Sequence, residues 1–161
     1  MVGTCGRESG PSRAQNVGAE TEVPRSSYAP TMSSIFTKII DGEIPSHRVY
    51  EDDAAYAFLD INPRQTGHTL VVSKIEVDYL FDLSTDEYAA LWRAVNAVAK
   101  GLKAATACER VVVIVLGYEV PHAHIHLIPS NDLADIPFPP IDETAQAQLA
   151  ETAERIRAAL A

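Results

Sequence analysis

A period of two governs residues 122–127, which read His-Ala-His-Ile-His-Leu. Alternate side chains of an extended strand point to opposite faces, whereas a helix would scatter these apolar residues around its axis. Read as a strand over 122–128, the segment presents His122, His124 and His126 together and turns Ala123, Ile125 and Leu127 toward a core. Three of the chain's five histidines fall within five residues on one surface. Packing alone does not ask for that, so the row reads as a chemical surface.

The remaining elements follow from caps, periods and turn residues. Ser33 or Ser34 caps a short helix over Ile35–Asp41, ended by Gly42 and kept from resuming by Pro45. Strands are expected at His47–Glu51, Tyr56–Ile61 and Thr69–Ser73, joined by short turn-rich connections that favour antiparallel pairing. The longest helix spans Thr85–Thr106. Ser84 and Glu87 make its capping box, Leu83 and Tyr88 stand as a hydrophobic staple, and Leu91, Trp92, Val95, Val98 and Leu102 repeat on one face. Val111–Leu116 is apolar at every position, the pattern of a strand buried on both faces. A Pro-rich loop, Pro137 to Pro140, precedes a tail helix with Leu149, Ala153, Ile156 and Leu160 on one face. This order predicts an α+β fold, a mainly antiparallel sheet of about five strands with a long central helix packed on it.

Residues 1–31 are rich in Gly, Ser, Pro, Arg, Glu and Thr without apolar periodicity, and are expected to form a disordered extension to a domain at 32–161. Met32 stands directly before the first structured segment and is a candidate alternative start. The first thirty residues lack the apolar run of a secretory signal, and no stretch matches a membrane span. Cys5 and Cys108 form no CxxC pattern and read as free thiols of a cytoplasmic protein. Thirteen basic against 22 acidic residues leave a net charge of −9. Such a chain has no general attraction for nucleic acid or anionic membranes, so any phosphate compound needs a local site of dipoles, amides and histidines.

Imidazole has an ordinary pKa of about 6.5, so near neutrality it serves as nucleophile, donor or acceptor after small shifts. The central histidine of a row can attack phosphorus as a neutral ring, while its neighbours donate to phosphoryl oxygens and protonate a leaving group. Zinc is the rival. However, the first and third Cα atoms of a straight strand lie roughly 13 Å apart at about 3.3 Å per residue, which opposes shared coordination by all three. A metal would take two of the three plus an outside ligand such as His68.

The run Gly117-Tyr118-Glu119-Val120-Pro121-His122-Ala123-His124-Ile125-His126-Leu127-Ile128-Pro129 resembles the histidine triad (HIT) superfamily. So do Ser34–Ile40, Gly42–Pro45, Phe58–Pro63 and Gly67–Lys74, in the family's order. The resemblance implies that His124 is the nucleophile of a covalent nucleotidyl-histidine, that His126 sits beside the α-phosphate and leaving group, that His122 orients the centre, and that His68 supports the triad. It implies that Asp60 binds ribose hydroxyls and that Ile35, Phe36, Ile39 and Ile61 form a nucleobase slot. From the residues alone, Ile35 and Ile39 are equally core positions, and Asp60 is equally a turn former. Many members carry Cys-x-x-Cys where this chain has Ser34 and Thr37, so their structural zinc is not expected. Glu119 takes the place of a hydroxyl near the phosphate, where a carboxylate repels an anion unless it points away.

The expected activity is therefore hydrolysis of nucleoside phosphoramidates, dinucleoside polyphosphates or similar purine nucleotides, without a cofactor. The alternative is a nucleotide-binding regulatory or interaction module with little turnover. Transfer to a sugar is disfavoured, since that branch ends its motif in Gln where this chain has His126. The resemblance further implies a homodimer, joined through the long helix and a central strand.

Overall fold

The computed structural model describes residues 33–136 and 142–160. The extension, Met32, Cys5 and the Pro-rich loop lie outside the described residues. Ser34 caps α1 (Ile35–Ile40) by accepting from the Thr37 amide. Three strands follow, β1 (Arg48–Glu51), β2 (Ala55–Leu59) and β3 (Thr69–Ser73), then α2 (Thr85–Thr106), β4 (Arg110–Ile114) and β5 (His124–Ser130). Two further helices, α3 (Glu143–Ala147) and α4 (Leu149–Leu160), end the chain. The Ser84–Glu87 capping box closes as expected, each side chain meeting the other's backbone amide. The α+β fold expected from the sequence is the one observed, with five antiparallel strands in the order β1-β2-β3-β5-β4.

Strand parity divides the sheet into two chemical faces. Ala55, Ala57, Val71, Ala123, Ile125 and Leu127 meet Leu91, Ala94, Val95 and Val98 of α2. The alanines beneath the helix let it approach closely, and removing this apolar area from water is the main stabilising term. Tyr56, Phe58, Leu70 and Val72 point the other way and pack on Phe36 and Ile39 of α1. The histidines emerge on this second face.

One expectation is corrected here. The Val111–Leu116 segment is not buried on both faces. β4 is an edge strand ending at Ile114, with Val113 41% and Leu116 57% exposed. Continuous apolarity marks residues that favour burial but does not say which neighbour supplies it, and only Val111 reaches the α2 core. The tail helix forms where it is expected, but Leu149, Ile156 and Leu160 are exposed, so its apolar face lies open. Among the described residues, no helix is long and apolar enough to cross a membrane.

Candidate active site

β5 lies beside β3 with Val72 opposite His124 and Leu70 opposite His126. Paired residues share a face, so both imidazoles stand on the α1 side, with ring centroids 5.0 Å apart. His122 departs from the sequence expectation: it precedes the strand, on a bend where backbone bonds from Ser73 to Ala123 (3.0 Å) and Ala123 to Val77 (2.6 Å) hold the chain. Its ring still shares the face. Phe36 presses edge-on against His122 and His124, with centroids at 5.9 and 5.0 Å.

The hydrogen bonds determine where each proton sits. His122 Nε2 is 2.8 Å from the Ser73 carbonyl oxygen. A carbonyl can only accept, so Nε2 carries the hydrogen, and Nδ1 accepts from the Ser34 hydroxyl at 2.6 Å. Burial, which penalises the charged ring, lowers the His122 pKa below its ordinary 6.5, with the Ser73 carbonyl and Glu76 pulling the other way. The ring is neutral near pH 7. His124 Nδ1 is 2.6 Å from the His122 carbonyl oxygen, so it must donate. In the neutral ring, Nε2 then holds the in-plane lone pair.

On the far side of the pair, the Arg64 amide donates to His68 Nδ1 at 3.2 Å. That leaves His68 Nε2 to donate to His126 Nδ1 at 3.0 Å, and His126 Nε2 to carry a hydrogen. His68 is 3% exposed, and its burial lowers its pKa against the opposing pull of Asp60. His126 is pushed down to about 4, by burial first and then by repulsion from His124 and His68. The triad therefore combines a bare nitrogen on His124 with an N–H on a neutral His126.

Asp60 forms the turn that the residues alone allowed, and it also approaches His68. One oxygen accepts from the Asn62 amide at 2.8 Å, shaping the turn, and the other lies 3.4 Å from His68 Nδ1. Asp60, His68 and His126 bring metal-ligating atoms within 4.8 Å of one another. A cation there would have to break the bond from the Arg64 amide or the one between the two rings. The rival zinc reading also needed two triad histidines, and this cluster has one. Ser34 and Thr37 do not fit a structural zinc, since their hard hydroxyl oxygens are already bonded to His122 and Glu76.

The four residues expected in an apolar slot divide. Phe36 and Ile39 are buried core, whereas Ile35 is half-exposed and Ile61 is 82% exposed. Glu119 is exposed and is not among the residues lining the cavity beside the triad. That cavity, of about 630 Å³, is lined by Tyr79, Phe81, Leu116, Tyr118, His122 and His124. The sequence reading passed over Tyr79 and Phe81, although two aromatics just ahead of a helix cap were a visible signal. Glu76 and the Ser73 carbonyl carried no such signal.

The HIT domain family matches residues 41–133, more than half of the chain. An uncharacterised HIT-like protein of Methanocaldococcus jannaschii is 43% identical over 99 residues, covering 59% of this chain and 77% of its own. The purine nucleoside phosphoramidase of Escherichia coli strain K12 is 35% identical over 106 residues, covering 62% and 89% respectively. A crystal structure of a HIT-family protein from Bacillus subtilis superposes with a TM-score of 0.71 at 28% identity, covering 81% of this chain and 99% of that one. With His124 and His126 on one strand, His122 on the bend before it and the family's domain matched over 41–133, the chain belongs to the HIT family.

Proposed function

We propose that this protein hydrolyses purine nucleotides at the α-phosphate, with nucleoside phosphoramidates as the first class to test and dinucleoside polyphosphates as the second. The observation that carries the reading is the bond from His124 Nδ1 to the His122 carbonyl, which places the neutral ring's one hydrogen on Nδ1 and its lone pair on Nε2. A neutral imidazole nitrogen with its proton held elsewhere is a competent nucleophile toward phosphorus. In the proposed reaction His124 Nε2 attacks, the bond to the leaving group breaks, and the His126 Nε2 hydrogen passes to the departing atom. The His68 Nε2 hydrogen moves to His126 Nδ1 while His68 Nδ1 takes up a proton from solvent beside Asp60. Water then cleaves the nucleotidyl-histidine, releasing the nucleoside monophosphate. Asp60 offers acceptors for ribose hydroxyls, and the exposed Ile35 and Ile61 supply apolar surface for the base. The named phosphoramidase among the relatives supports the substrate class.

The edge position of β4, with Val113, Val115 and Leu116 exposed, supports a homodimer built across this edge and α2. For the chemistry, wild-type protein and His124→Ala are assayed by product chromatography on adenosine and guanosine phosphoramidates and dinucleotides. The wild type is expected to turn over and to form an acid-labile nucleotidyl adduct. The variant is expected to bind nucleotide with neither adduct nor turnover. Turnover by the variant at the wild-type rate would refute the nucleophile, and binding without product by the wild type would establish a binding module instead.

A further inference from the structure

Glu76 lies in the loop after β3 and has no part in the reaction just described, yet it sits at one end of a hydrogen-bond chain that reaches His124. The Ser34 amide donates to Glu76 Oε2 at 3.2 Å, and the Thr37 hydroxyl donates to the same oxygen. Both donors belong to the first turn of α1, 42 and 39 residues away in sequence. Ser34 in turn accepts from the Thr37 amide at 3.0 Å and spends its own hydrogen on His122 Nδ1. The directions are forced from the other end, because the Ser73 carbonyl claims the hydrogen on His122 Nε2.

We infer that Glu76 is a positioning residue that clamps the cap of α1 onto His122, and so holds the carbonyl that sets the proton on His124. Without the carboxylate, Ser34 and Thr37 lose the acceptor that anchors them, and the hydroxyl aimed at His122 Nδ1 is free to rotate. His122 is almost wholly buried, so its unpaired nitrogen would find a partner by turning the ring or exchanging tautomers. Either movement breaks the His122 Nε2 bond to the Ser73 carbonyl, which loosens the side-chain hold on the bend that presents the His122 carbonyl to His124 Nδ1. The Ser73–Val77 segment reinforces the clamp, since it bonds the His122–Ala123 bend at two backbone positions and carries Glu76 between them. The catalytic consequence rests on the proposed hydrolysis; the proton placement does not.

The test uses full-length protein with ¹⁵N-labelled histidine and the variants Glu76→Ala, Glu76→Gln and Ser34→Ala. Long-range ¹H–¹⁵N spectra report which ring nitrogen of each histidine is protonated, independent of activity. Wild type is expected to show hydrogen on His122 Nε2 and His124 Nδ1. Glu76→Ala and Ser34→Ala are expected to show mixed tautomers at both rings, with kcat on adenosine phosphoramidate down about tenfold, the effect of one lost hydrogen bond, and KM within about threefold. Glu76→Gln keeps an acceptor oxygen and is expected to restore most of both signals; it and Ser34→Ala also carry the test should Glu76→Ala fail to fold. Wild-type tautomers in Glu76→Ala and Ser34→Ala overturn the inference, even if their melting temperatures fall. Altered tautomers with wild-type kcat overturn the positioning role. Altered tautomers in a protein whose wild type turns over no nucleotide refute the proposed hydrolysis and leave the clamp standing.

Discussion

His68 is the position where the reading of proton placement is most exposed to refutation. The replacement His68→Ala removes the donor that meets His126 Nδ1 at 3.0 Å. Two effects follow. The first concerns rate: leaving a buried acceptor unpaired costs about 1–3 kcal/mol, and each ~1.4 kcal/mol is tenfold in rate. If that cost falls on the protonation state that delivers hydrogen to the leaving group, kcat drops roughly tenfold to a hundredfold. The second concerns pH. His68 contributes to holding the His126 pKa down at about 4, and burial contributes more. Removing the ring eliminates one repulsion and opens the space to water, and both changes raise the His126 pKa. A ring that takes up a proton more readily is the better donor to the leaving group, so the kcat deficit of His68→Ala should narrow as pH falls. The assay is a steady-state pH series on adenosine phosphoramidate, run well below the melting temperature because loss of a buried side chain also weakens packing. His68→Gln, which keeps an N–H donor, should recover part of the rate. A kcat within twofold of wild type at every pH would refute the proton relay. Equal losses in the alanine and glutamine variants, with a deficit that does not change with pH, would reduce His68 to a packing residue.

Other expectations concern stability and assembly. Ala107 ends α2 in the left-handed region at φ 54°, where a side chain costs about 1–2 kcal/mol. Glycine relieves that strain but adds freedom to the unfolded chain, so Ala107→Gly should stabilise by about 0.5–1 kcal/mol, read as a higher midpoint in urea denaturation; an unchanged or lower midpoint would refute it. His68, His122 and His126 all have lowered pKa values, so between about pH 6.5 and 4 the unfolded state binds more protons than the folded one. Their stabilisation is complete above pH 6.5 and is lost as pH falls through that window; the melting temperature should fall with it, less steeply in His126→Gln. Val113→Lys places a charge on the apolar edge strand and should convert the proposed dimer to monomer, measured by light scattering; a persistent dimer would put the contact elsewhere.

The strongest local signals were read correctly from the chain. β3 and α2 fall on their expected bounds, and the alternation in residues 122–127 separated the histidine face from the α2 face. The errors share a cause. The apolar run of β4 was legible, but its place at the sheet edge was not, because burial depends on which strand lies beside it. His122 kept the period of two yet fell on a bend, since a spacing pattern does not register where ladder bonds stop. Ile35 and Ile39 had the spacing of either core or slot, and the fold buries Ile39 against the sheet while leaving Ile35 half-exposed.

The residues along the chain dictated the caps, the strand alternation and the presence of three neighbouring imidazoles, because each depends on dihedral preferences and contacts within a few positions. The protons on those imidazoles were decided by the folded chain. Ser34 meets His122 across 88 residues, Ser73 meets it across 49, and His68 meets His126 across 58. Which nitrogen is bare depends on the donors and acceptors brought against each ring, and only tertiary packing assembles those.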